Sequence, residues 1–151
     1  MKNNPIKQTD ATKVLKKDGV EELFFNKDNN YHTNLKKLIE ENQDGDKSWA
    51  RRVIYNDVFS ATLIYQKPGE SNRTHYHKKE DEWWVILKGN IKWWIEDIGI
   101  INASTGDIVF VPKTKQHKIK TIGKENSIRL AICSPDIPHF HPEVDQSPKD
   151  F

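Results

Sequence analysis

Short apolar runs separated by turn residues fill the chain from residue 49 to residue 133. Residues 52–55, 59–65, 82–87, 91–95, 108–111, 117–119 and 128–132 each read as a strand, with Gly, Asn, Lys and Pro between them. Regular short strands of this kind predict an all-β sandwich or barrel. The first 50 residues follow a different period. A helix is expected from about Thr9 or Asp10, either a good cap, to Lys17, ending before Gly19. A second is expected over residues 33–42, with Leu35, Leu38 and Ile39 on one face, ending at Gln43-Asp44-Gly45-Asp46. Beyond Ser134 the chain is too rich in proline for a helix or a central strand. Three zones follow: residues 1–48 as a polar segment with short helices, 49–133 as the β domain, and 134–151 as a proline-rich tail. No internal repeat is visible.

Within the strand zone, residues of one chemistry recur at a telling interval. His75 and His77 stand two apart, and Glu82 follows five residues later. A third histidine, His117, closes the segment that begins at Gly106. On a strand, His75 and His77 would share a face about 7 Å apart, and imidazoles with one carboxylate suit a first-row transition metal. By the same alternation Arg73 shares the face of the histidines, Trp84 and Ile86 share that of Glu82, and Ile119 that of His117. Thr74, Tyr76, Trp83, Val85, Lys118 and Lys120 then point away. Arg73 is the expected cation of the cavity, holding a substrate carboxylate, and Trp84 its water-excluding wall. The competing reading pairs Arg73 with Glu70 or Asp81 at the rim. His139 and His141 repeat the two-residue spacing without a carboxylate at a matching interval, and read as tail residues.

The spacing resembles the cupin family. Gly69, five residues, His75-x-His77, four residues, Glu82, six residues and Gly89 fit the first cupin motif throughout. Gly106, five residues, Pro112 and then His117 fit the second, with Thr114 where glycine is expected and Thr121 where asparagine is expected. The resemblance implies a single jelly-roll β-barrel and one divalent metal on His75, His77, Glu82 and His117. Iron is the first expectation, with manganese, nickel or zinc as alternatives. It also implies a homodimer and a small-molecule ligand, anionic or polyoxygenated. Oxygen chemistry of a dioxygenase leads among the expected activities. Isomerase, epimerase or lyase chemistry, or ligand binding without catalysis, are the alternatives, because a fold does not choose its reaction.

Composition narrows the remainder. Hydrophobic residues make up only 35% of the 151, so the interior must be compact, and five tryptophans supply much of its area. A net charge of +2 gives no basis for nucleic-acid or membrane binding. The N-terminus lacks the apolar stretch of a secretory signal, and Cys133 has no second cysteine to pair with, so a cytoplasmic location is expected.

Overall fold

The computed structural model describes residues 10–22, 29–42 and 47–151. Thr9 and the expected turn at residues 43–46 lie outside them. The order is α1 (Asp10–Lys17), β1 (Glu21–Glu22), α2 (Leu35–Glu41), β2 (Trp49–Tyr55), β3 (Ser60–Gln66), β4 (Glu82–Lys88), β5 (Asn90–Ile95), β6 (Gly99–Ser104), β7 (Ile108–Val111), β8 (His117–Ile122) and β9 (Ser127–Cys133). Two sheets face each other, one in the order β1-β2-β3-β9-β4-β7 and one in the order β6-β5-β8. All pairings are antiparallel except the short β1–β2 contact. This is the expected all-β jelly roll with short N-terminal helices.

Alternation sorts the large sheet into two faces. Ala50, Ile64, Trp84, Ile86 and Ala131 turn inward to meet Ile91, Trp93, Ile95 and Ile119 of the small sheet in the main core. Leu63, Tyr65, Trp49 and Ile128 turn outward, and α2 covers them with Leu35, Leu38 and Ile39, the face read from the sequence. The Asn34 side chain caps α2 by accepting from the Lys37 N–H at 3.0 Å. Trp84 and Trp93 pack in the core with ring centroids 5.7 Å apart. The tryptophan pairs therefore split in different ways: Trp83 is exposed while Trp84 is buried, but Trp93 and Trp94 are both buried.

Two expectations need correction, and the tail adds contacts that no local pattern announced. Strand β6 is unanticipated, because its Ile100-Ile101 pair breaks the alternation and it lies at a sheet edge with Ile100 exposed. The segment carrying His75 and His77 is not a regular strand. It runs beside β8 and touches it through the isolated bridges Ser71–Lys120 and His75–His117. The tail is ordered against the domain: Phe140 bridges Tyr76, Ile137 is buried, and the Lys120 ammonium donates to the Phe151 carbonyl. The Lys118 and Lys92 ammonium groups lie 5.5 and 5.2 Å from the Phe151 ring, so Lys118, expected to point away from the interior, is met there by the tail.

Two turns of the motifs differ in backbone demand. Gly89 sits at φ +79°, where a Cβ would stand 2.7 Å from the Asn126 carbonyl oxygen. Thr114 holds φ +70° at the position where the resemblance expects glycine, while its N–H donates to the His77 carbonyl at 2.6 Å. A β-branched residue is strained there, so the substitution costs stability that the turn's hydrogen bond offsets in part. Thr114→Gly should raise stability by about 0.5–1 kcal/mol, the relief of strain exceeding the entropy glycine adds to the unfolded chain. Gly89→Ala should lower it by about 2 kcal/mol or more. Urea unfolding of the two variants checks both signs, and equal midpoints would contradict them.

Candidate metal centre

The site begins with backbone pairing. The His75 N–H donates to the His117 carbonyl at 3.2 Å, and the His117 N–H donates back at 2.9 Å. This sets the two imidazoles face to edge, ring centroids 4.2 Å apart. His77 follows two residues on, and Glu82 enters from the first position of β4, opposite Cys133 of β9. One ligand atom from each of His75, His77, Glu82 and His117 lies within 4.8 Å of the others, and all four residues are buried.

The outer nitrogens fix how the rings present themselves. His77 Nδ1 lies 2.9 Å from the Pro138 carbonyl, His75 Nδ1 3.0 Å from the Arg73 carbonyl, and His117 Nδ1 3.1 Å from the Lys115 carbonyl. The Asn72 amide nitrogen also approaches His75 Nδ1, at the longer distance of 3.2 Å. A carbonyl can only accept, so each Nδ1 carries a proton and each Nε2 points inward, where its lone pair would face an ion; without one, His77 Nε2 is protonated toward the Glu82 carboxylate. His117 Nε2 is fully buried and has no hydrogen-bond partner among the described residues. Such an atom is costly without a partner, and a cation at the centre of the four donors would supply one. The donor set therefore fits a divalent transition ion.

Charge is arranged to match. Burial would raise the Glu82 carboxyl, but the imidazoles of His117 and His77 converge on it and hold it well below the usual carboxylate range. Its Oε2 lies 3.1 Å from His77 Nε2 and 3.7 Å from His117 Nε2, so only the former is a hydrogen bond. His77 is buried too, which disfavours its proton, yet Glu82 outweighs burial and its pKa rises. Burial first, then the neighbouring His117 and His139, push His75 well below the usual imidazole range.

The remaining sequence-expected residues fall elsewhere. Arg73 is not brought to the cluster. It is exposed and its Nε donates to Asp18 at 2.7 Å, because residues 72–74 form no ladder and alternation does not govern them. Asp18, from the turn after α1, is the partner instead of Glu70 or Asp81. Trp84 does point inward, with its ring 5.9 Å from that of His117, and it packs in the core. Thr121, at the motif's asparagine position, is fully buried and bonds the Ser127 hydroxyl at 2.6 Å.

The structure adds residues the sequence had left aside. His139 stands with its ring 4.7 Å from both His75 and His77. It lines a cavity of about 60 Å³ that also touches Glu82, Arg52 and Asp136. The pair His139-x-His141 was a visible signal, but its proximity depends on the tail folding back, which no local pattern announces. His141 faces away and bonds the Thr74 carbonyl through Nδ1 at 2.9 Å. Among the described residues no helix is long and apolar enough to cross a membrane.

Comparison with known proteins agrees with this architecture. The cupin domain family model matches residues 62–133, which span both motifs. No curated protein matches the chain. A conserved protein of Klebsiella pneumoniae with a double-stranded β-helix domain superposes with a TM-score of 0.64 at 14% identity, covering 76% of this chain and 93% of that one. A predicted oxalate decarboxylase of Thermotoga maritima gives 0.54 at 20% identity, over 58% and 80% of the two chains. A sugar phosphate isomerase from Silicibacter pomeroyi gives 0.52 at 19%, over 58% and 59%. At these identities the likeness is one of fold. With both motifs in place and the four candidate ligands gathered between two antiparallel sheets, residues 62–133 form a cupin domain.

Proposed function

We propose that the protein is a metal-dependent cupin enzyme acting on a small anionic organic molecule, with dioxygenase chemistry as the leading reaction. The observation that carries this reading is the convergence of three imidazole Nε2 atoms and one carboxylate beside a cavity. Four protein ligands leave an ion positions for other oxygen donors. Iron held there would supply dioxygenase redox chemistry, whereas manganese, nickel or zinc would supply Lewis acidity to an isomerase or lyase. The chain's own contribution is to hold the ligands through their outer nitrogens, to exclude water with Trp84 and Ile137, and to offer His139 as a base or acid at the cavity wall. A small-ligand-binding role without turnover is the alternative outcome of the same tests.

A homodimer belongs to the same proposal. On the outer face, Trp83 pairs across strands with Phe110 and Val85 with Ile108, and Trp83, Phe110 and Ile108 are exposed. Strand β7 is also an open sheet edge, so one contact with a second copy would cover both the apolar row and the edge. Light scattering should give twice the chain mass of 17.7 kDa, and Phe110→Glu should halve it. A wild-type mass equal to one chain would refute this.

The metal reading has two tests. Protein purified without an affinity tag should carry one transition ion per chain, and His77→Ala or His117→Ala should lose at least nine-tenths of it. Iron-loaded wild type should then consume dioxygen with a small carboxylate. Turnover without oxygen uptake would select the isomerase or lyase reading, and metal content unchanged in both variants would remove the site. The pH dependence follows from the ion pair. His77 is raised, so its contribution is full below the usual imidazole range and lost as pH rises through its folded value. Glu82 is lowered, so its contribution is present above the usual carboxylate range and lost as pH falls through its folded value. His75 is lowered, so its contribution is present above the usual imidazole range and lost as pH falls through it, opposing His77. Removing it, in metal-free His75→Ala, should reduce the loss of stability on going from neutral to the mildly acidic window between those ranges. Metal needs neutral imidazole, so the stability it adds should grow as pH rises above that window. Thermal unfolding of these forms between pH 5 and 8 measures both trends.

A further inference from the structure

The cavity beside Glu82 has a chemistry of its own. Register across three strands puts Ser60 of β3, Cys133 of β9 and Glu82 of β4 in one row, and Thr62, Ala131 and Trp84 in the next. Strand β2 adds Arg52 opposite Thr62, and the tail lays Asp136 and His139 over the opening. Arg52 is 9% exposed, and its guanidinium lies 3.9 Å above the Tyr55 ring. Its Nη1 stands 3.9 Å from Asp136 Oδ1, which is an ion-pair distance but too long for a hydrogen bond. The Tyr55 hydroxyl donates to the other oxygen, Asp136 Oδ2, at 2.6 Å. Oδ1 is buried and receives no hydrogen bond among the described residues. Asp136 holds φ +55°, a conformation that costs a non-glycine residue energy, so the tail keeps the carboxylate in place against strain.

A planar donor and a bare acceptor thus flank the same small space. Their complement is a carboxylate with a hydroxyl or ammonium on the adjacent carbon. Size sets the remainder: about 60 Å³ is well under the ~150 Å³ of an apolar cavity that admits benzene. An aromatic ring does not fit. Charge sets the order of binding. Glu82 and Asp136 bring two carboxylates to the wall beside the guanidinium of Arg52, and a divalent ion held by Glu82 would add positive charge for an anion.

We propose that this cavity binds a short 2-hydroxy or 2-amino acid, its carboxylate on Arg52 and its hydroxyl or ammonium on Asp136, and that Arg52, not Arg73, sets the preference for anions. This names the substrate class of the function proposed above and rests on it. The test is calorimetric titration of zinc-loaded protein with glycolate, glycine, acetate and benzoate. Glycolate or glycine should bind at least tenfold more tightly than acetate, which lacks the donor, and benzoate should not saturate. The better of the two identifies the donor group. Arg52→Gln should weaken that ligand at least tenfold, and Asp136→Asn should remove its advantage over acetate, with zinc content unchanged in both. If Arg52→Gln fails to show a cooperative thermal transition, Thr62→Leu fills the cavity with both charged groups kept and should cause the same loss. Arg73→Gln should leave affinity unchanged. Equal binding of acetate or benzoate, or undiminished binding in Thr62→Leu and Arg52→Gln, overturns the proposal. Failure of the metal reading shows separately, as wild type that retains no zinc. The same ligand ranking, at weaker affinity, is then expected from metal-free protein, and its absence overturns the cavity proposal as well.

Discussion

The reciprocal pair of backbone hydrogen bonds between His75 and His117 is the constraint on which the site depends. It is one rung of a longer contact. Gly69 N–H reaches the Thr121 carbonyl, Thr121 N–H the Glu70 carbonyl, and Asn72 N–H the Ile119 carbonyl. The loop after β3 therefore lies along β8 from Thr121 to His117 and extends the small sheet without being a strand. Asn72 strengthens the join, its side-chain oxygen accepting from the Ile119 N–H at 2.6 Å. Because the two cupin motifs meet along this line, the first supplies His75 and His77 and the second supplies His117 at one level of the fold. Phe140 then pairs with Tyr76 on the far side, so the tail inherits its position from the same loop.

Gathering three imidazoles and a carboxylate in the interior is unfavourable unless every polar atom has a partner. The outer nitrogens are settled by carbonyls of residues 73, 115 and 138. Two of those carbonyls belong to the residue two positions before the histidine, so a ring and its anchor share one short stretch of chain. The third belongs to Pro138, which ties His77 to the tail. On the inner side the metal-free protein has only the His77–Glu82 pair, and His117 Nε2 remains unserved. Among the described residues the centre thus carries a deficit that a cation would remove. Stability and metal affinity are linked for that reason, and pH acts on both through the same ligands.

The ligands were legible because each lies a fixed short distance from a turn residue, and those distances survive in any chain that makes the turns. The strands were legible where one face is core, as in β4, whose Trp84 and Ile86 alternate with Trp83 and Val85. Legibility failed where alternation was applied outside a ladder. Arg73 was assigned the face of His75, but between them the backbone is irregular: Thr74 is buried and bonds Asp145, while Arg73 leaves for Asp18. β6 was invisible for a related reason, since an edge strand needs only one neighbour and tolerates exposed isoleucine. Arg52 carried no signal at all. Its neighbour Arg51 is just as charged, and only pairing with Thr62, together with the bulge that follows, turns one inward.

The two parts of the site are consequently built by different physics. The candidate metal ligands come from two local motifs joined by backbone hydrogen bonds, with one tie to the tail through His77 and Pro138. The cavity is assembled from β2, β3, β9 and the tail, whose residues meet only through long-range register and through one strained turn at Asp136. Changes in β2 or β3 would reshape the cavity without touching a candidate ligand, whereas Glu82 and the tail serve both parts. A site built this way lets the pocket vary apart from most of the ligand set, and on the reading proposed above Arg52, Asp136 and the volume between them would choose the molecule.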